Sequence, residues 1–169
     1  PYFIGNNDAF PHYDFATRVK GSQPDPLHPI NTSPNNTGTH QLPPAKPAFI
    51  WYGIDSSREF PLLGRGTASA MAGPVYYSDL FNNSNYKLPQ YYNGKLFIYD
   101  WMRRWIMAVT LDERGNYKSM ELFLEQFRFT APIDMKLGTD GAIYMLEYGT
   151  NWFAKNADAR LIRIEYSAG

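Results

Sequence analysis

Apolar residues in this chain gather into short runs, and two of these runs match each other across an offset of 47 residues. Asn93-Gly94-Lys95-Leu96-Phe97-Ile98-Tyr99-Asp100 and Asp140-Gly141-Ala142-Ile143-Tyr144-Met145-Leu146-Glu147 each open on a turn dipeptide, pass through residues apolar on both faces and close on an acid. A second β-like run follows each of them. Strands that recur with a period of about 45 to 50 residues are the imprint of a β-propeller blade. The pattern therefore predicts an all-β fold built from blades.

The individual strands are expected at 48–52, 70–77, 96–101, 105–111, 120–124, 133–137, 142–148 and 161–166. Aromatic and β-branched residues dominate most of them. The run at 70–77 carries small residues and an internal Gly73-Pro74, which suits a closely packed innermost strand with a bulge. Met120, Glu121 and Leu122 are good helix formers, and it is the blade count that assigns them to a strand. Asn93-Gly94 and Asp140-Gly141 are expected as hairpin turns with the glycine at positive φ, which glycine adopts without a steric penalty. Between 8 and 47 the chain is rich in Pro, Asn, Gly, Ser and Thr, with no usable hydrophobic period. That stretch reads as a long irregular excursion.

This count gives one blade of four strands within a blade region at 48–131, followed by a final blade of three at 132–169. Propellers commonly complete the last blade with an N-terminal segment, which this reading places upstream of Pro1. The expectation is a partial propeller, the last two to three blades of a ring.

Composition narrows the possible chemistry. The 16 basic and 16 acidic residues balance and are scattered in sign, so no electrostatic footprint for nucleic acid is present. No apolar run reaches the length of a membrane span. With no cysteine, disulfides, thiolate metal sites and cysteine nucleophiles are excluded. Glycine-rich phosphate loops, nucleophile elbows and paired zinc histidines are missing as well. His12, His28 and His40 all fall in the 8–47 excursion without metal-site spacing. Asp112-Glu113-Arg114-Gly115 and Thr139-Asp140-Gly141 read as turns.

Four passages together resemble the C-terminal part of the glucose/sorbosone dehydrogenase family, six-bladed propellers that include PQQ-dependent soluble sugar dehydrogenases. They are Pro1-Tyr2-Phe3-Ile4-Gly5-Asn6; Ala70-Met71-Ala72-Gly73-Pro74-Val75-Tyr76; Gly94-Lys95-Leu96-Phe97-Ile98-Tyr99-Asp100-Trp101 with Arg104-Trp105-Ile106-Met107-Ala108-Val109; and the run from Ile133 through Asp140-Gly141-Ala142-Ile143-Tyr144 to Leu146. The resemblance implies a secreted or periplasmic quinoprotein that oxidises a sugar hydroxyl using PQQ and Ca2+. Electrons would pass to a cytochrome c domain or an external acceptor. The histidine base and the calcium ligands of the family pattern lie in other blades, so the resemblance implies no catalytic residue and no metal ligand in this chain.

Two cofactor positions of the family fall within reach. Met102 stands where a quinone-contacting lysine is usual, with Arg103 and Arg104 beside it, and Ala131-Pro132-Ile133 replaces an Arg-x-Arg pair. Met102, Arg103 and Arg104 are thus the expected cofactor-binding residues. Blade topology brings the junction and hairpin loops to one mouth, where Trp101, Phe129, Asn151 and Trp152 are the expected sugar contacts. The alternative is a non-catalytic propeller module that binds carbohydrate or a protein partner. Asp134, inside an apolar inner strand, is expected to need a partner, whether an arginine, backbone donors or an ion, with a structural link to a neighbouring blade as its role.

Overall fold

The computed structural model describes residues 11–167 of the chain; the passage 1–6 that contributes to the family resemblance lies outside them. The described residues form two compact units, one ending at Gly53 and the other starting at Ile54. No helix among them is long and apolar enough to cross a membrane.

In the first unit, β1 (Tyr13–Asp14) and β2 (Val19–Lys20) form a minimal antiparallel hairpin, and one isolated bridge joins Ile30 to Gln41. Elsewhere polar side chains close local turns: Asp14 accepts the Ala16 N–H, and the Asn36 amide reaches the carbonyls of Asn31 and Thr39. Such bonds offer the backbone an alternative to a ladder, which is why this composition stays irregular. The three histidines are exposed, with His28 paired to Asp25 at 2.9 Å. The strand expected at 48–52 does not form. Its aromatic and β-branched composition is a propensity only, and β-propensity depends on a packing context that a short run does not itself supply.

The second unit consists of two antiparallel meanders. The first runs β3 (Ala70–Val75), β4 (Leu96–Asp100), β5 (Trp105–Leu111) and β6 (Tyr117–Leu122) in sequence order. The second runs β7 (Pro132–Leu137), β8 (Ile143–Glu147) and β9 (Arg160–Ile164) in the same manner. The chain is all-β, and no sheet among the described residues closes on itself. β6 starts earlier than the apolar pattern suggested and stops at Leu122, because the chain turns at Leu124 with φ of 54°.

The internal repeat has a physical basis at its acidic end. Asp100 is buried and accepts the Ser69 N–H at 2.9 Å, while the Trp101 N–H donates to the Ser69 carbonyl at 3.2 Å. Glu147 is likewise buried and accepts the Thr130 N–H, while the Tyr148 N–H donates to the Ala131 carbonyl at 2.9 Å. In both sheets the acid that ends the second strand holds the residues leading into the first. Arg160 pairs with Glu147 at 2.5 Å and balances its charge, as a buried carboxylate requires.

Phe97, Ile106, Ala108 and Phe123 of the first sheet share one core with Met135, Ile143 and Met145 of the second. The first strands, β3 and β7, run beside each other. Gly73 permits this approach: a Cβ there would lie 2.9 Å from Met135 Sδ and 2.9 Å from the Phe97 carbonyl. The bulge expected in β3 is present as a register shift between Ala72 and Val75. Gly94 and Gly141 have φ of 76° and 79°. Only Gly141 lies in a short hairpin; Gly94 redirects the chain into β4 after the long 76–95 connection.

That connection folds back under the second sheet. Fully buried Tyr76 donates its hydroxyl to the Gly141 carbonyl at 3.0 Å and accepts the Leu88 N–H at 2.7 Å. Asp134, by contrast, needs no partner in the other sheet. A register shift between Pro132 and Asp134 leaves its side chain exposed, where it accepts the Met135 N–H and lies 3.7 Å from Lys136.

Candidate functional site: an aromatic cleft between two turns

The turn between β4 and β5 is closed by Asp100, whose side chain accepts the Arg103 N–H at 2.7 Å and whose carbonyl accepts the Arg104 N–H at 2.9 Å. Arg104 takes φ of 60°, a left-handed conformation that a non-glycine residue adopts only when its surroundings impose it.

The loop between β8 and β9 is organised around Asn156. Its amide nitrogen donates to the carbonyls of Tyr148 at 3.0 Å and Asn151 at 2.9 Å, and its oxygen accepts the Asn151 N–H at 2.9 Å. Asp158 accepts both the N–H and the hydroxyl of Thr150, the latter at 2.7 Å. Bonds from the Thr150 side chain and backbone hold the Asp158 carboxyl below its ordinary pKa. Gly149, with φ of 99°, lets the loop close so tightly: a Cβ there would lie 2.4 Å from Asn156 Cβ.

β4 and β8 occupy equivalent places in their sheets, so these two turns leave the unit at the same end and meet. The rings of Trp101 and Trp152 stack with centroids 4.6 Å apart and planes at 19°, and Trp101 meets Tyr148 edge-on at 5.3 Å. Arg104 reaches across to the Thr150 carbonyl at 3.5 Å. Between the turns lies a cleft of about 100 Å³, lined chiefly by Trp101, Met102, Arg104, Tyr148, Asn151 and Trp152.

Five residues expected at the mouth, Trp101, Met102, Arg104, Asn151 and Trp152, therefore share one site. Phe129 does not join them. It is buried in the core, with Phe127 at 4.8 Å, and has no face to offer a sugar. Arg103 is also elsewhere: its guanidinium donates to the carbonyls of Leu63 at 2.8 Å, Gly64 at 3.1 Å and Gly66 at 2.7 Å, fastening the 61–66 segment to the turn. Its expected role on a cofactor gives way to a structural one, because these carbonyls come from a segment nearly forty residues earlier. Asn156 and Asp158, which shape the site from behind, carried no sequence signal beyond being polar loop residues.

The residues present do not fit a quinone such as PQQ. A polycarboxylate ligand needs several cations. Met102 is neutral, the Arg103 fork is engaged with backbone carbonyls, and Arg104 remains beside a cleft too small for a tricyclic cofactor. Among the described residues, no cluster of His, Asp or Glu is arranged to hold a metal ion.

Two larger open grooves lie at the other end of the sheets, along the 76–95 connection. One, of about 580 Å³, is lined by 84–90 with Tyr166 and Ser167; the other, of about 610 Å³, by 79–86 with Thr139 and Asp140. The acid there is occupied, since Asp140 pairs with Arg163 at 2.8 Å. Compared with known proteins, the chain matches no family model, no curated protein and no solved structure.

Proposed function

We propose that this chain is part of a β-propeller whose mouth binds carbohydrate, with Trp152 as the platform and Asn151 and Arg104 as directional donors. One observation carries the reading: Trp152 is held flat against Trp101 yet remains 56% exposed, next to an exposed amide and a guanidinium. Sugars present an apolar C–H face edged by hydroxyls, and an aromatic ring flanked by fixed polar groups matches both features. Packing accounts for Trp101, which is covered by Tyr148 and Trp152. It does not account for Trp152 or for Phe153, which is 87% exposed. The propeller reading draws support from two successive antiparallel meanders whose first strands lie side by side.

The sugar dehydrogenase reading rests on the family resemblance. The described residues lend it a sugar-facing surface and no quinone pocket, so PQQ, Ca2+, the base and the electron acceptor would all have to engage other blades. Secretion to the periplasm or beyond stands on the same ground.

Titration calorimetry and tryptophan fluorescence with a panel of neutral oligosaccharides test the proposal. Binding should quench the fluorescence, and Trp152→Ala should weaken binding about tenfold, the usual loss for a stacking aromatic. Sugar binding that is indifferent to Trp152→Ala would refute this site. Added PQQ and Ca2+ should produce no sugar-dependent dye reduction by this chain alone.

A further inference from the structure

We infer that the cleft selects sugars carrying a carboxylate, a uronic acid residue within an oligosaccharide. The inference rests on the carbohydrate reading above and specifies its ligand.

Charge in the cleft is one-sided. Of its lining residues, Arg104 alone is of a charged type; the others are Trp101, Met102, Ala131, Tyr148, Gly149, Thr150, Asn151 and Trp152. The acids nearest the cleft stand outside its lining and are each bonded there, although Asp158 also feels the charge of Arg104. Asp158 is held by the N–H and hydroxyl of Thr150, Asp100 by the N–H groups of Ser69 and Arg103, and Glu147 by Arg160. Among the described residues the Arg104 guanidinium has no carboxylate within ion-pair distance, and its side-chain hydrogen bond is the 3.5 Å contact with the Thr150 carbonyl, at the limit of such a bond.

An exposed guanidinium held by a single long hydrogen bond keeps most of its planar fork for a ligand. It matches a carboxylate with two parallel hydrogen bonds, a geometry that neutral hydroxyls do not reproduce. The arrangement of the site fits the shape of a uronic acid. A pyranose ring laid on Trp152 carries its carboxylate on the ring edge, and Arg104 and the Asn151 amide line the same cleft as that ring. The neighbouring Arg103 does not compete for the ligand, since its fork is engaged with three backbone carbonyls.

Oligogalacturonate and its methyl ester, compared on the full chain by calorimetry at low and at physiological salt, test the inference. They share ring, linkage and stacking face and differ in charge. The free acid should bind about tenfold more tightly, and the preference should shrink as salt is added. Arg104→Gln should remove the preference by weakening the free acid far more than the ester, and Arg104→Lys should restore it in part, as a charge without the fork. Trp152→Ala should weaken both ligands together. Equal affinity for acid and ester would overturn this inference and leave the carbohydrate reading intact. Failure of every oligosaccharide, neutral and acidic, would overturn both. An acid preference that survives Arg104→Gln in a chain with unchanged melting temperature would place the carboxylate elsewhere and also overturn it.

Discussion

Tyr76 joins three parts of the second unit through one hydroxyl, and Tyr76→Phe isolates that hydroxyl from the ring. The ring packs edge-on to Phe97 at 6.5 Å and tilted against Phe81 at 5.7 Å, contacts that phenylalanine preserves. What disappears is the bond to the Gly141 carbonyl in the second sheet and the bond from the Leu88 N–H in the connection. Leu88 is buried, so its N–H gains no water in exchange. A net hydrogen bond contributes about 1 kcal/mol, and a donor stranded in the interior costs roughly 1–3 kcal/mol, so the substitution should destabilise the fold by about 2–3 kcal/mol. For a unit of this size that corresponds to a melting temperature lower by roughly 8–15 °C. Urea unfolding followed by fluorescence should show a lower midpoint with an unchanged slope, and the Leu88 amide should exchange faster with solvent. A change below about 0.5 kcal/mol would refute the claim that this hydroxyl fastens the connection to both sheets.

Other predictions follow from the same packing. Gly73→Ala should destabilise by about 1–3 kcal/mol, read by urea unfolding, because the new methyl meets Met135 Sδ and a backbone carbonyl between β3 and β7. Burial raises the phenol pKa values of Tyr76, Tyr92 and Tyr99 above the ordinary 10.0. Their contribution to stability is therefore complete below pH 10.0 and lost as pH rises through the higher folded-state values, with phenolate absorbance lagging behind that of the denatured chain. β9 forms an edge of its sheet among the described residues and exposes 66% of Leu161, so sedimentation should show concentration-dependent self-association that Leu161→Lys reduces. A monodisperse monomer at all concentrations would count against that edge being accessible.

Adjacent residues Arg103 and Arg104 show where a sequence reading of the site stops. Both sit in a tight turn beside a tryptophan, and their order in the chain assigns them the same candidate role. The structure separates them. Arg103 is captured by carbonyls of the 63–66 segment, whereas the left-handed backbone at Arg104 directs its side chain toward the cleft. Phe129 was set apart from Trp152 in the same way: both are aromatics at loop junctions, and only packing decides which is covered. The 48–52 run makes the same point for the fold, since it carries a strand's composition and does not form a strand.

The sequence by itself determined the parts that depend on local pattern. Although the hairpin expected at Asn93-Gly94 does not form, the 47-residue repeat, the positive φ at Gly94 and Gly141, the bulge at Gly73 and the acid that ends each repeat were legible, because side-chain period and turn chemistry act over a few residues. It also placed Trp101, Met102, Arg104, Asn151 and Trp152 at one end of the sheets, since equivalent strands must release their turns on the same side. Only the tertiary structure decided which of those side chains face solvent, which arginine lines the cleft and how the 76–95 connection grips the second sheet. Those outcomes depend on carbonyls and ring faces supplied by segments tens of residues away, and no local pattern encodes where such segments come to rest.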